Sequence, residues 1–216
     1  YVSDPTNNGH FKMTDLSKYA HLVPLSLDVD LFEDERYIYH YTEERLTLRE
    51  VKKGERQLVV PFSVNGFQVE SFNPNTALPS VIEEIYIGKN INSLGENLCG
   101  LEQYAPSIKH AYVDPSNPHM ESYGQVVYRS YPYYIPAAAT IIQIKPMRTI
   151  GKGFFYNHSK VETIIIQPGT EIVGEYAIEN CPNLKVAYIP KETQVLEKSF
   201  YGVHPSFQII YRNSEK

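Results

Sequence analysis

Metal binding and nucleophilic catalysis need particular residues at particular spacings, and histidine serves both. The chain has seven: His10, His21, His40, His110, His119, His158 and His204. A helical zinc site takes two histidines four apart, and a zinc ribbon takes Cys-x-x-Cys. Neither spacing occurs, so the histidines read as surface and loop residues, and no metal or cofactor is expected. The acidic run at 28–35 has a spacing near that of a calcium loop. It lacks the Gly and the closing bidentate Glu of that loop and reads as a solvated turn. There is no Gly-x-Ser-x-Gly and no phosphate loop, so no enzymatic activity is expected. Cys99 and Cys181 are too few for a disulfide framework and read as structural thiols.

What remains is tyrosine, 18 residues with no tryptophan. Its chemistry is recognition: a large amphipathic ring suited to protein interfaces and to stacking on sugars. Where the tyrosines point depends on the elements that carry them.

Those elements repeat. Val161-Glu-Thr-Ile164-Ile-Ile166 returns 23 residues later as Leu184-Lys-Val-Ala187-Tyr-Ile189, and Val173-Gly174-Glu-Tyr-Ala-Ile178 returns after 22 as Val195-Leu196-Glu-Lys-Ser-Phe200. A period in the low twenties is that of a stacked-repeat solenoid with one strand per coil. Apolar residues at the first, fourth and sixth places predict strands at 82–87, 108–113, 141–144, 161–166, 184–189 and 207–211, at least the first five in one parallel sheet. Each strand leads to a second half-coil, Leu94-Gly95, Ile150-Gly151, Val173-Gly174 or Val195-Leu196. The glycine implies positive φ or a close approach of backbone between coils, and Leu196 breaks that rule. A pair that plugs the core follows: Phe154-Phe155, Ala177-Ile178, Ser199-Phe200. On this register Cys99 and Cys181 lie three coils apart, roughly 14 Å, too far for a disulfide.

Outside the repeat, residues 1–15 read as a lead-in, 16–32 as weakly strand-like, and the alternation Tyr37-Ile-Tyr39-His-Tyr41 as a strand. Residues 1–57 are taken as lead-in and N-terminal β cap, and 58–216 as the solenoid. The stretch 114–140 breaks the period. Its turn cluster Asp114-Pro115-Ser-Asn117-Pro118 and the strand-like Gly124-Gln-Val126-Val127-Tyr128 predict an inserted hairpin protruding from one face. The fold class is thus an α/β-type repeat solenoid dominated by β, a right-handed leucine-rich-repeat coil with a parallel sheet on one face.

Composition narrows the partners. The net charge of −5, without a basic run, excludes a phosphate-backbone binder, so no nucleic acid is expected. No run of 18 apolar residues exists to span a membrane as a helix. The first residue is Tyr1, not Met, which reads as a trimmed start.

These residues resemble the BspA-type leucine-rich repeat family, whose consensus runs strand, Pro, Ile-Gly, Ala-Phe, then Cys. Val173-Gly174-Glu175-Tyr176-Ala177-Ile178-Glu179-Asn180-Cys181 is similar throughout, with Ile178 for Phe. Ile150-Gly151-Lys152-Gly153-Phe154-Phe155 and Leu94-Gly95-Glu96-Asn97-Leu98-Cys99 follow it less closely. The entry Val60-Pro61 through Phe72 and the stretch from Asp114-Pro115 to Tyr128 resemble the family's first coil and its inserted hairpin. The resemblance covers about 58–211. It implies an exported or surface-anchored protein of host-associated bacteria, secreted or at the cell surface, acting in adhesion to proteins or cells. It places Cys181 at a core cysteine and carries over no catalytic residue. In a bacterial protein the sequon Asn157-His158-Ser159 would be unmodified.

The expected working surface is the outward strand face with the hairpin. The fifth strand place holds Tyr86, Tyr112, Ile165 and Tyr188, and the hairpin adds Tyr123, Tyr128, Tyr131, Tyr133 and Tyr134. The leading expectation is non-enzymatic recognition of a protein on a host or bacterial surface. The alternatives are a glycan-binding accessory module and a passive spacer. Tyrosines stacking along the strands as a structural ladder would produce the same sequence.

Overall fold

The computed structural model describes residues 23–24, 31–42, 45–64, 66–95 and 102–213. Those residues form a β-dominated repeat solenoid with almost no helix, only a short 3-10 turn at Glu102–Tyr104. The chain divides into two compact units, Tyr1–Glu121 and Ser122–Lys216.

The first unit opens with a six-stranded cap of β1 (Val23–Pro24), β2 (Leu31–Glu33), β3 (Tyr37–Thr42), β4 (Arg45–Val51), β6 (Ser63–Val64) and β7 (Phe67–Phe72), in the order β1-β2-β3-β4-β7-β6. The alternation in β3 puts Tyr37, Tyr39 and Tyr41 inward. Asp34 organises the turn before it. Its Oδ1 accepts the Arg36 and Tyr37 amides at 2.8 and 2.7 Å, and its Oδ2 accepts the Tyr39 hydroxyl at 3.1 Å. The cap reaches past the expected 57, because β7 runs parallel to β4 and buries Val69 and Phe72. In the middle of it, β5 (Gln57–Val60) leaves the cap and joins β8 (Glu84–Ile87) and β9 (His110–Val113) as the first strand of a parallel sheet.

The second unit begins within β10 (Glu121–Tyr123), which forms a three-stranded sheet with β11 (Val126–Tyr128) and β12 (Pro132–Tyr134), β11 and β12 being antiparallel. Three parallel ladders then run up the stack. The main one is β13 (Ile141–Ile144), β16 (Thr163–Ile166), β19 (Val186–Pro190) and β22 (Gln208–Arg212). The second is β14 (Thr149–Ile150), β17 (Ile172–Val173) and β20 (Gln194–Val195). The third is β15 (Phe155–Tyr156), β18 (Ile178–Glu179) and β21 (Phe200–Tyr201).

All six predicted repeat strands are strands. They fall into two parallel sheets, of three and of four, where one of at least five was expected: β9 ends the first and β13 begins the second. All the strands but β13 also start one or two residues late. A tight turn fills the first place, as where the Ile82, Ile108, Leu184 and Phe207 amides each bond a carbonyl three residues back.

The core is made of the inward columns. Ile142, Ile164 and Ala187 align at the fourth place, Ile144, Ile166 and Ile189 at the sixth, and all are buried. Phe155 and Ile178 stack in register as the expected plug, and buried Ser199 donates to the Val173 and Leu196 carbonyls at 2.8 and 2.6 Å. Burial of such columns needs neighbours above and below, so a single coil cannot fold alone.

The glycine expectation holds at two positions and fails at a third. Gly95 has φ +63°, and a Cβ on Gly174 would lie 3.2 Å from the Ile150 carbonyl oxygen. Gly151 has neither constraint. The left-handed corners lie further on, at Gly153, Tyr176 and Lys198 and again at Asn157, Asn180 and Gly202. There the backbone turns its N–H along the stack. The Gly153 amide donates to Tyr176 O at 2.8 Å, Tyr176 to Lys198 O at 3.0 Å, Asn157 to Glu179 O at 3.1 Å and Asn180 to Tyr201 O at 2.9 Å. This pairing along the stack accompanies a left-handed conformation that Tyr and Lys otherwise avoid.

Candidate interaction surface

Strand alternation that buries the fourth and sixth places turns the third and fifth outward. In the first unit the outward columns are Gln57, Glu84, His110 and Val59, Tyr86, Tyr112. The Tyr86 and Tyr112 rings stack with centroids 4.8 Å apart and an interplanar angle of 23°. His110 lies nearly parallel to Tyr112 at 6.1 Å. The Tyr86 hydroxyl donates to Glu84 Oε2 at 3.2 Å, and Gln57 Nε2 donates to the same oxygen at 2.9 Å. Desolvation on the sheet, then the Glu84 carboxylate, hold the Tyr86 phenol above its ordinary value. Beside these columns Glu83 bridges Arg56 at 3.0 Å and Lys109 at 2.8 Å. The hydrogen bond from Lys109 is the main reason its carboxyl titrates below the usual range. Val59, in register with Tyr86, is 62% exposed.

In the second unit the columns are Ile141, Thr163, Val186, Gln208 and Gln143, Ile165, Tyr188, Ile210. Tyr188 has aliphatic neighbours in register and so no stacking partner there. The Arg212 guanidinium lies 5.3 Å over its ring instead.

The insert corrects the sequence reading. It was expected to protrude, yet all three residues of β11 are buried, and Val126 and Tyr128 join the core that contains Ile142, Ile144 and Phe155. Tyr128 is 0% exposed, with Lys145 Nζ 4.6 Å from its ring centre, and Tyr134 is buried as well. Neither presents its ring at the surface, and the Tyr128 ring packs in the core of the second unit. Of the other expected contact residues, Tyr131 is 60% exposed, Tyr123 is half-buried, and Tyr133 is half-buried with Arg129 4.2 Å over its ring. Gly124 places the insert on the outward face. At φ +56° it lies so close to Gln143 that a Cβ would meet the Gln143 Cβ at 2.8 Å.

Three exposed tyrosines, Tyr156, Tyr201 and Tyr211, escaped the sequence reading. Tyr156 and Tyr201 follow the plug residues Phe155 and Phe200, aligned through Glu179 on the third ladder. Tyr201 meets the left-handed Tyr176 edge to face at 5.5 Å, and Lys152 Nζ lies 5.5 Å from the Tyr176 ring centre. The signal was present, since the residue after each plug must point outward. Among the described residues no group of three or more His, Cys, Asp or Glu is placed to hold a metal ion. No helix among them is long and apolar enough to cross a membrane. Cys181 is buried, its Sγ 3.5 Å from the Glu179 carbonyl. Cys99, His10, His21, the expected lead-in at 1–15 and residues 28–30 of the expected acidic turn lie outside the described residues, while Leu31–Glu33 of that turn is strand β2.

Residues 130–212 match the family model of the BspA type leucine rich repeat region, in six copies. Comparison with curated protein sequences returns no match. Solved structures similar to the chain include a leucine rich cell surface protein from Faecalibacterium prausnitzii A2-165, 11% identical over 83% of this chain and 88% of that one, with a TM-score of 0.35. A leucine-rich repeat protein from Eubacterium ventriosum ATCC 27560 is 14% identical over 80% and 74%, with a TM-score of 0.33. The pneumococcal vaccine antigen PcpA is 11% identical over 86% and 88%, with a TM-score of 0.30.

Proposed function

We propose that this protein is a non-enzymatic recognition module of a bacterial surface, exported or displayed there, and that it binds a protein through the outward faces of its parallel sheets. One observation carries the reading. The fifth-place columns do not contribute to the core, which the inward columns already fill, yet they are built of Val59, Tyr86 and Tyr112 in one unit and Ile165, Tyr188 and Ile210 in the other. Apolar and aromatic side chains in a row on a solvated sheet, beside a column of Gln, Glu and His, have the composition of an interface.

The ring geometry favours a protein over a glycan. A pyranose stacks flat on an open aromatic face. Tyr86 and Tyr112 turn faces toward each other, and Arg212 and Arg129 lie over Tyr188 and Tyr133. What these tyrosines offer outward is edges and hydroxyls, which suit side chains and peptide groups.

The test compares the wild type with the Tyr112→Ala/Tyr188→Ala variant, each immobilised against surface-protein extracts, with a glycan array run in parallel. Wild type should retain discrete proteins that the variant loses, with the array blank. Array binding without protein capture would transfer the function to glycans, and no binding in either format would leave a spacer.

A further inference from the structure

The two stacks are covered at their first coils, one by the six-stranded cap and the other by the insert with Tyr128. The last coil differs. Core places that are closed elsewhere are only partly covered at Val195, Phe200, Phe207 and Ile209, and Tyr211 is exposed where Ile189 below it is buried. Among the described residues no strand pairs with the far edge of β22. Edge strands are commonly protected by Pro, a bulge or Lys. β22 has none of these, and its one charged side chain, Arg212, is drawn back over Tyr188 and donates to the Ile166 carbonyl at 3.4 Å.

We propose that β22 pairs antiparallel with β22 of a second copy of this chain, with Ile210 on the two-fold axis. Hydrogen-bond parity and side-chain pattern select that register together. The Gln208 amide donates to the Lys185 carbonyl and the Arg212 carbonyl accepts from the Lys191 amide, so Gln208, Ile210 and Arg212 spend their backbone groups on β19. In a parallel ladder the intervening residues point the other way, so Ile209 and Tyr211 hold the groups available to a partner. An axis through Ile210 sets Ile209 of each copy opposite Tyr211 of the other as a hydrogen-bonded pair, four bonds in all from the two such pairs.

The side chains agree. Gln-Ile-Ile-Tyr-Arg has the same polar–apolar order from either end. Ile209 then packs on Tyr211 over the open core, Ile210 meets itself on the outward face, and Gln208 lies opposite Arg212 with no like charges apposed. Moving the axis to residue 209 or 211 keeps the backbone parity but sets Ile210 against Gln208 or Arg212. The contact is isologous and therefore closes at two copies. It would join two four-stranded sheets into one and bring two Tyr188 columns onto one surface.

The experiment uses the full chain. Its mass by light scattering or sedimentation should double between low and high micromolar concentration. Ile210→Lys and Ile210→Glu change an exposed side chain and should fold as wild type. Each alone should be monomeric, because like charges meet on the axis, with at least a hundredfold loss of affinity. Mixing the two should restore the dimer. Amide exchange should protect Ile209 and Tyr211 in the dimer and release them in either monomeric variant, with Ile210 and Arg212 protected in both. A wild type that stays monomeric throughout overturns the proposal, as do single variants that still dimerise, a mixture that does not, or fast exchange at Ile209 and Tyr211 in the dimer.

Discussion

Tyr86 and Tyr112, 26 residues apart in sequence, lie directly opposite each other on adjacent parallel strands, their rings 4.8 Å apart and inclined by 23°. Aromatic pairs of this kind contribute about 0.5–1.5 kcal/mol beyond area burial. The pair is therefore part of the fold as well as of its surface. In a double-mutant cycle Tyr86→Ala and Tyr112→Ala should couple by about 1 kcal/mol in equilibrium unfolding. Tyr188→Ala, with no ring beside it in the column, should cost less than either. Additive losses at 86 and 112 would show that the stack contributes no stability.

Tyr128 and Tyr131, three residues apart, should behave oppositely. Tyr128→Ala removes a fully buried ring from the cover of the second unit and should cost on the order of 3 kcal/mol or more. Tyr131→Ala should change stability by less than about 0.5 kcal/mol and weaken partner binding instead. Thermal melts and a binding isotherm for each variant check both halves.

His158 gives the fold a pH dependence. Its ring lies 4.3 Å from Phe155, and burial pulls its pKa from 6.5 to about 4. The unfolded chain takes up the proton first as pH falls. The stability is therefore fully present above about pH 6.5 and is lost progressively toward pH 4, by on the order of 3 kcal/mol. Unfolding free energies for wild type and His158→Phe should diverge over that window, the variant being the flatter. Parallel curves would mean that another group carries the acid sensitivity.

Lys198 is exposed and held at φ +59°, at the corner where an earlier coil has Gly153. A left-handed conformation costs an L-residue about 1–2 kcal/mol, part of which glycine's extra unfolded-state entropy offsets. Lys198→Gly should therefore stabilise by up to about 1 kcal/mol and raise the melting temperature. A lower one would mean that the side chain contributes contacts worth more than the strain.

Cys181 should resist thiol reagents in the native protein and react on unfolding, since its residue is fully buried. Labelling at the native rate of an exposed thiol would contradict its place in the core.

The sequence by itself determined the inward columns, and with them the repeat, the strand positions and the outward places of Tyr86, Tyr112 and Tyr188. The reason is that a coil of 22 or 23 residues has few apolar side chains to bury, so the places they occupy recur visibly. Only the tertiary structure decided the rest. Tyr128, Tyr131 and Tyr134 share one aperiodic stretch, and nothing local separates the buried from the exposed until the open end of the first coil of the second unit demands a cover. Tyr176 and Lys198 stand at left-handed corners that local preference would give to glycine or asparagine. The Tyr176 amide donates to the Lys198 carbonyl one coil away, a contact that exists only once the coils are stacked.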